Sequence, residues 1–134
     1  MHSPLIIRVA FLAAGVVGLL FGLFFLLAAD QAVTSFGLGA ANLPALLFAR
    51  STGALITGLG IANLIAALDR GSRSQFALVI ANIVVHVLSI FADFSENYPR
   101  NAGVWVGLAV HVIFIAVFGY CVVHWRQMTP RTAR

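Results

Sequence analysis

Residues 76–95 read FALVIANIVVHVLSIFADFS, a stretch with the length and composition of a helix that crosses a membrane. At 1.5 Å per residue, about 20 residues span the hydrocarbon layer of roughly 30 Å. Four polar side chains of this stretch recur at i, i+4, i+7 and i+11, within an arc of about 60° on a helix; they are Asn82, His86, Ser89 and Asp93. Gln75 extends the same line. Because unpaired polar groups are costly in hydrocarbon, this face is predicted to point into a helix bundle.

Three further apolar runs of similar length occur in the chain, at residues 5–29, 44–68 and 102–123. The short segments between the runs leave no room for a domain outside the membrane. The sequence therefore predicts an all-α fold, a four-transmembrane-helix bundle that forms one integral membrane domain over residues 1–134. Residues 30–43 are expected to form a loop. Pro44 suits a first helical turn, and Ser74 and Asn101 are the predicted N-caps of the third and fourth spans.

The composition excludes several classes of protein. Of the 134 residues, 61% are hydrophobic and 9% are charged, whereas a soluble domain is roughly 45–50% apolar and about 25% charged. So few charges do not provide a hydrated surface for a soluble globule. Soluble enzymes, disordered segments and nucleic-acid-binding domains are therefore disfavoured, and the arginines behind the net charge of +4 form no nucleic-acid patch. The single cysteine, Cys121, excludes an internal disulfide and a cysteine-based metal site.

The positions of the arginines predict the orientation of the spans. Six of them lie on the side that carries both termini and the middle turn: Arg8, Arg70, Arg73, Arg126, Arg131 and Arg134. The other side has Arg100, and Arg50 lies within the second span. Because positively charged residues accumulate in cytoplasmic loops, both termini of this multi-pass membrane protein are predicted to be cytoplasmic.

Small residues recur three and four positions apart in three of the spans, a pattern typical of helices that pack closely within a membrane. The residues concerned are Gly15, Gly18 and Gly22 in the first span, Gly53, Thr57 and Gly60 in the second, and Gly103 and Gly107 in the fourth. Helix packing is their favoured role. The alternative is that the missing side chains leave a slot for a flat ligand.

Two histidines and two charged residues are candidates for a binding site. His86 and His111 lie about 16 and 15 Å from the same loop, so their rings are expected to approach each other near mid-membrane. Arg50 is expected roughly 9 Å below that side of the membrane. A buried arginine needs an anionic partner, for which Asp93 is the first choice and Asp30 the second. The predicted ligand-binding residues are Arg50, Asn82, His86, Asp93 and His111.

Three functions are compatible with these residues. The favoured one is non-enzymatic binding of a small lipid-like or quinone-like molecule, since such sites are concave and mostly apolar with a few polar groups. The first alternative is electron transfer by haem b, with His86 and His111 as axial ligands. The second is a structural or accessory subunit that assembles with a larger membrane complex or with further copies of itself. No catalytic residue is predicted, because the sequence contains none of the common catalytic motifs.

The first half of the chain also carries a resemblance to a known family. After the glycine-rich first span, residues 49–53 read ARSTG, and Gly58 and Gly60 follow. This arrangement resembles the DoxX-like group of small four-helix bacterial membrane proteins. The resemblance implies a four-helix fold in a bacterial inner membrane, and some members of the group are associated with quinone-linked redox systems or with accessory roles. It implies no catalytic residue, and His86 and His111 belong to no pattern of that group.

Overall fold

The computed structural model describes residues 4–69, 72–94 and 101–128, in which all regular structure is helical. Along the described chain the helices are α1 (Pro4–Leu27), α2 (Ala29–Ser35), α3 (Leu43–Ala66), α4 (Arg73–Asp93), α5 (Ala102–Val123) and α6 (Trp125–Met128). Four of them, α1, α3, α4 and α5, are long and apolar enough to cross a membrane. The prediction of an all-α fold with four such helices is therefore confirmed, and the structure indicates a multi-pass membrane protein.

Some features predicted from the sequence lie outside the described residues. They are Ser95, at the end of the predicted third span, and four of the arginines that predict the orientation, namely Arg70, Arg100, Arg131 and Arg134.

Asparagine side chains cap the start of two spanning helices. Asn42 caps α3, where its Oδ1 accepts a hydrogen bond from the Ala45 backbone N–H at 3.0 Å, and Pro44 follows in the first turn. Asn101 caps α5 in the same way, with Val104 N–H as donor at 3.1 Å. The predicted roles of Pro44 and Asn101 are thus confirmed.

The start of α4 differs from the prediction. The helix begins at Arg73, and its N-cap is Ser72, whose Oγ accepts a hydrogen bond from the Gln75 N–H at 3.0 Å. The Ser72 hydroxyl in turn donates to the Asp69 carboxylate. Ser74, the predicted cap, lies inside the first turn. The helix therefore begins before the apolar run from which it was predicted, because polar residues of the preceding turn form its start.

A short helix, α2, replaces much of the loop that was expected over residues 30–43. Ala28 interrupts α1 with φ −123° and ψ 46°, and the helix then resumes. α2 is followed by Gly37 with φ +68°, a conformation that glycine adopts without steric cost. A seven-residue helix is not stable alone, so α2 depends on packing against α1 and α3 through its buried residues, which are Ala29, Ala32 and Val33.

The four long helices form two pairs, α1 with α3 and α4 with α5. We call the end of the bundle with Pro4 and Val123 the terminus side, and the end with Leu27 and Asp93 the loop side. The pairs meet on the terminus side, where the rings of Phe11 in α1 and Phe118 in α5 have centroids 5.4 Å apart. The apolar core of this half contains Ile7, Ala10, Phe11, Ala14, Ala66, Ala67, Val79, Phe114, Phe118 and Cys121.

Glycines allow the backbones of α1 and α3 to approach each other closely. A Cβ atom added to Gly60 would lie 2.9 Å from the Leu19 backbone nitrogen, and one added to Gly18 would lie 3.0 Å from the Gly60 Cα. A Cβ on Gly53 would lie 2.5 Å from the Leu26 nitrogen. We call this contact the glycine seam; it consists of Gly15, Gly18 and Gly22 of α1 and Gly53 and Gly60 of α3.

Candidate functional site

A cavity of about 500 Å³ lies between the two helix pairs, from the middle of the bundle to the loop side. All four long helices contribute to its lining. Three further lining residues, Val33, Phe36 and Leu38, come from α2 and the segment after it. The cavity exists because the pairs are joined by the terminus-side core, whereas the space between them toward the loop side is left unfilled.

Most of the cavity wall is apolar, and most of its polar side chains lie on α4. The polar lining residues are Thr52, Asn63, Asn82, His86, Ser89, Asp93 and His111. The four from α4 are those whose spacing predicts an inward face. Gln75, on the same line, is buried nearer the terminus side, where its Nε2 donates to the Ala66 carbonyl at 2.8 Å. The polar line of α4 therefore faces the other helices along its whole length.

A pair of amides forms the terminus-side end of the cavity. Asn63 of α3 donates from Nδ2 to Oδ1 of Asn82 at 3.0 Å, and Asn82 donates back to Oδ1 of Asn63 at 2.8 Å. Asn82 Nδ2 also donates to the Leu78 carbonyl at 2.8 Å. Both side chains are buried. Because these amides satisfy each other, they connect the two helix pairs and leave little hydrogen-bonding capacity for a ligand.

Farther toward the loop side, two histidines and an aspartate form a chain of polar groups. The Nδ1 atoms of His86 and His111 lie 2.9 Å apart. The Nε2 atom of His111 lies 3.9 Å from Oδ2 of Asp93, and that oxygen is buried with no hydrogen-bond partner among the described residues. The polar side chains of this wall thus extend from mid-membrane to the loop-side end of α4. We call His86, His111 and Asp93 the polar relay.

The remaining cavity wall is rich in aromatic rings. The ring of Phe114 stacks on His86, with centroids 5.1 Å apart and an interplanar angle of 10°. Further phenylalanines line the cavity from α1, the α2–α3 segment and α3; they are Phe21, Phe25, Phe36 and Phe48. The site can therefore accept a flat apolar group beside a small number of polar atoms.

Arg50 requires a correction, because it does not reach the cavity and does not pair with Asp93. The side chain is exposed on the outside of α3, whereas its neighbour Ala49, at 2% exposure, is buried and lines the cavity. Among the described residues, the basic group near Asp93 is His111. Successive residues differ by 100° around a helix, so the depth of Arg50 in the membrane did not determine the face on which it lies.

Two glycines of α5, Gly103 and Gly107, have different surroundings. A Cβ on Gly103 would lie 3.1 Å from the Ser35 carbonyl oxygen, so Gly103 packs against the end of α2. Gly107 requires a correction, because a Cβ added there would have no atom within 4 Å and the residue lines the cavity. Gly107 therefore leaves space in the cavity wall, where a side chain would extend.

The histidine pair as arranged does not fit a bis-histidine haem. A histidine nitrogen binds a metal ion at about 2.0–2.1 Å, so two axial nitrogens would lie about 4 Å apart with the macrocycle between them. The Nδ1 atoms of His86 and His111 are instead in direct contact at 2.9 Å, which leaves no position for an iron atom or its ring. Within the ranges described, no group of three or more His, Cys, Asp and Glu side chains could hold a metal ion.

Several cavity residues were not identified from the sequence. Asn63 and Thr52 of α3 are eleven positions apart, the same spacing as Asn82 and Asp93 of α4, so both pairs place polar groups on one helical face. This spacing was an available signal. Phe114 had no such signal, since one phenylalanine in an apolar span is compatible with core, lipid or cavity. The part of the cavity wall that α2 forms was not predicted, because this helix was expected to be a loop.

Comparisons of the chain with protein-family models, with curated proteins and with solved structures gave no match. The resemblance to the DoxX-like group therefore stays a prediction.

Proposed function

We propose that this protein binds a small hydrophobic molecule, lipid-like or quinone-like, in the cavity between its two helix pairs, and that binding involves no covalent chemistry. The observation that carries the proposal is a cavity of about 500 Å³ that combines an aromatic wall with the polar relay. Binding sites for small molecules typically occupy about 300–1,000 Å³ and are apolar with a few convergent polar groups. Polar side chains within a membrane also tend to mark functional positions.

The shape of the bundle supports entry of the molecule from the bilayer. α3 and α4 approach each other near the terminus side, at Asn63 and Asn82. Toward the loop side, two cavity-lining side chains on these helices are exposed, Phe48 at 73% and Val85 at 41%. The gap between α3 and α4 is therefore the proposed route for a lipid-soluble ligand.

Filling the cavity at Gly107 is expected to abolish retention of the ligand. A leucine side chain at this position would extend into open space, because an added Cβ has no atom within 4 Å. The test is a mass spectrum of the organic extract of the protein, purified from cell membranes in mild detergent. We expect the unmodified protein to retain an apolar molecule at near-stoichiometric amounts, and Gly107→Leu to lose it.

Gly119→Leu is the matched control for this experiment. Gly119 lies on the same helix, a Cβ there also has no atom within 4 Å, and the residue does not line the cavity. Both substitutions give the same gain in helix propensity, so a difference between them reports on the cavity. If the unmodified protein and both variants contain the same bulk lipids in the same amounts, the proposed function is wrong.

The same proposal includes an orientation with both termini in the cytoplasm. Three described arginines, Arg8, Arg73 and Arg126, are exposed on the terminus side, and this side is cytoplasmic by the positive-inside rule. A green fluorescent protein fused after residue 134 is expected to fluoresce, and alkaline phosphatase fused at the same position is expected to be inactive. The opposite result for both fusions would reverse the orientation, and the cavity would then open toward the cytoplasmic half of the membrane.

A further inference from the structure

The hydrogen-bonding state of the polar relay follows from its geometry. The contact of 2.9 Å between the Nδ1 atoms of His86 and His111 requires one N–H donor and one lone-pair acceptor. The other nitrogen of His111, Nε2, lies 3.9 Å from the Asp93 carboxyl group. With Asp93 ionised, its carboxylate accepts hydrogen bonds and does not donate them, so it favours an N–H on the nitrogen that faces it. The proton of a neutral His111 therefore belongs on Nε2.

This assignment determines what His86 offers to the cavity. With the proton of His111 on Nε2, its Nδ1 is the acceptor, and His86 must donate from its own Nδ1. The Nε2 atom of His86 then carries a lone pair and is an acceptor. No described residue donates a hydrogen bond to it, and the His86 side chain lines the cavity. An acceptor nitrogen without a partner among the described residues thus remains on a side chain that lines the cavity.

We infer that the cavity recognises a phenol-class molecule, an aromatic ring with a hydroxyl group and an apolar tail, whose O–H donates to His86 Nε2. This inference rests on the proposed function and specifies its ligand. The phenylalanines of the cavity wall favour an aromatic ring, since ring pairs gain energy beyond the area that they bury. His111 and Asp93 are positioning residues, because they act on the ligand through the tautomer of His86.

Two further hydroxyl groups can meet a second oxygen on the ring, as in a hydroquinone. Thr52 of α3 and Ser89 of α4 line the cavity, and no hydrogen bond occupies either hydroxyl within the described part of the chain. Thr52 and Asp93 lie at similar depths in the membrane. Thr52 is eleven residues from Asn63 on α3, and Asp93 is eleven residues from Asn82 on α4. A ring that contacts His86 can therefore direct its second oxygen toward the loop side.

The test compares two probes that differ in whether the ring oxygen carries a hydrogen or a methyl group. The affinities of 4-decylphenol and of its methyl ether, 4-decylanisole, are measured for the full chain in detergent micelles. We expect the unmodified protein to bind the phenol about tenfold more tightly than the ether, because the ether leaves a buried acceptor without a donor. The variant His86→Phe keeps a ring against Phe114 but has no acceptor, and we expect it to bind both probes with equal affinity.

Asp93→Asn tests the positioning role. The amide has a donor as well as an acceptor, so it no longer holds the proton of His111 on Nε2, and the preference for the phenol is expected to fall toward one. A residue with a purely structural role would change both affinities by the same factor. An unchanged tenfold preference in this variant would overturn the role of Asp93.

A ligand-free measurement keeps the inference testable if His86→Phe does not fold. Nitrogen-15 spectra of histidine-labelled protein distinguish the two tautomers, and the chain has four histidines to assign. We expect His86 as the Nδ1–H form and His111 as the Nε2–H form; the reverse assignment would overturn the inference. Equal binding of both probes, blocked by Gly107→Leu, would also overturn it while leaving the proposed function intact. If Gly107→Leu and the unmodified protein instead retain the same bulk lipids, the proposed function itself is wrong.

Discussion

Replacing Gly53 with alanine is expected to lower the free energy of unfolding by about 1–3 kcal/mol, because overpacking of a close contact forces the structure to shift. The added Cβ would lie 2.5 Å from the Leu26 backbone nitrogen and 2.7 Å from the Gly22 carbonyl oxygen. Both are backbone atoms, so no side-chain rotation relieves the overlap, and α1 and α3 must move apart. The movement would also weaken the contact of Gly60 with Gly18, since these residues belong to the same glycine seam.

Gly58→Ala is the control for this prediction. Gly58 lies on the same helix, and an added Cβ there has no atom within 4 Å. Alanine is favoured over glycine in a helix by about 1 kcal/mol, so Gly58→Ala is expected to be neutral or slightly stabilising. The measurement is thermal unfolding in detergent, with helix content followed by circular dichroism. Equal unfolding temperatures for the two variants would show that the glycine seam does not limit the distance between α1 and α3.

The sequence predicted the parts of the fold that depend on length and composition. The spanning helices follow from apolar runs, since a helix needs about 20 such residues to cross hydrocarbon. The approach of His86 and His111 followed from counting residues back to a shared loop, because antiparallel helices with the same rise bring equal counts to equal depth. These predictions needed only one coordinate, the position along the membrane normal.

The main error in the predicted site concerns the rotation of a helix about its axis, which depth in the membrane does not determine. Arg50 was assigned to the cavity by its depth, and its actual face could have been inferred from the other polar residues of α3. Thr52 and Asn63 are eleven positions apart and share a face, whereas Arg50 is two residues from Thr52 and therefore about 200° away from it. A pair of polar residues at helical spacing is thus better evidence for an inward face than one charged residue.

The short helix α2 shows a different limit of sequence interpretation. Residues 29–35, ADQAVTS, have no side-chain cap and too few residues for a stable isolated helix. The helix forms because the bundle provides an apolar surface for Ala29, Ala32 and Val33. Because α2 depends on the tertiary structure, the sequence did not predict it. The loop-side end of the cavity, formed by Val33 and Phe36, was therefore not predicted either.

Replacing Asn82 with leucine is expected to destabilise the protein by about 1–3 kcal/mol, because it leaves a buried polar partner unsatisfied. Asn63 currently donates to Asn82 at 3.0 Å and accepts from it at 2.8 Å. In the variant, the Asn63 amide would face a hydrocarbon side chain and lose both of its hydrogen bonds to residue 82. The loss is measured as a decrease in the free energy of unfolding, from titration of the micelle-solubilised protein with a denaturing detergent.

The double variant Asn63→Leu/Asn82→Leu separates hydrogen bonding from packing. Removing both amides leaves no unsatisfied group, so the double variant is expected to lose less stability than the sum of the two single losses. Hydrogen bonds between membrane helices contribute about 0.6 kcal/mol on average and up to roughly 1.7, and a coupling at the upper end is expected for this reciprocal pair. Additive losses would show that the two amides do not stabilise each other. The terminus-side core, with Phe11 and Phe118, would then be the contact that holds the two helix pairs together below the cavity.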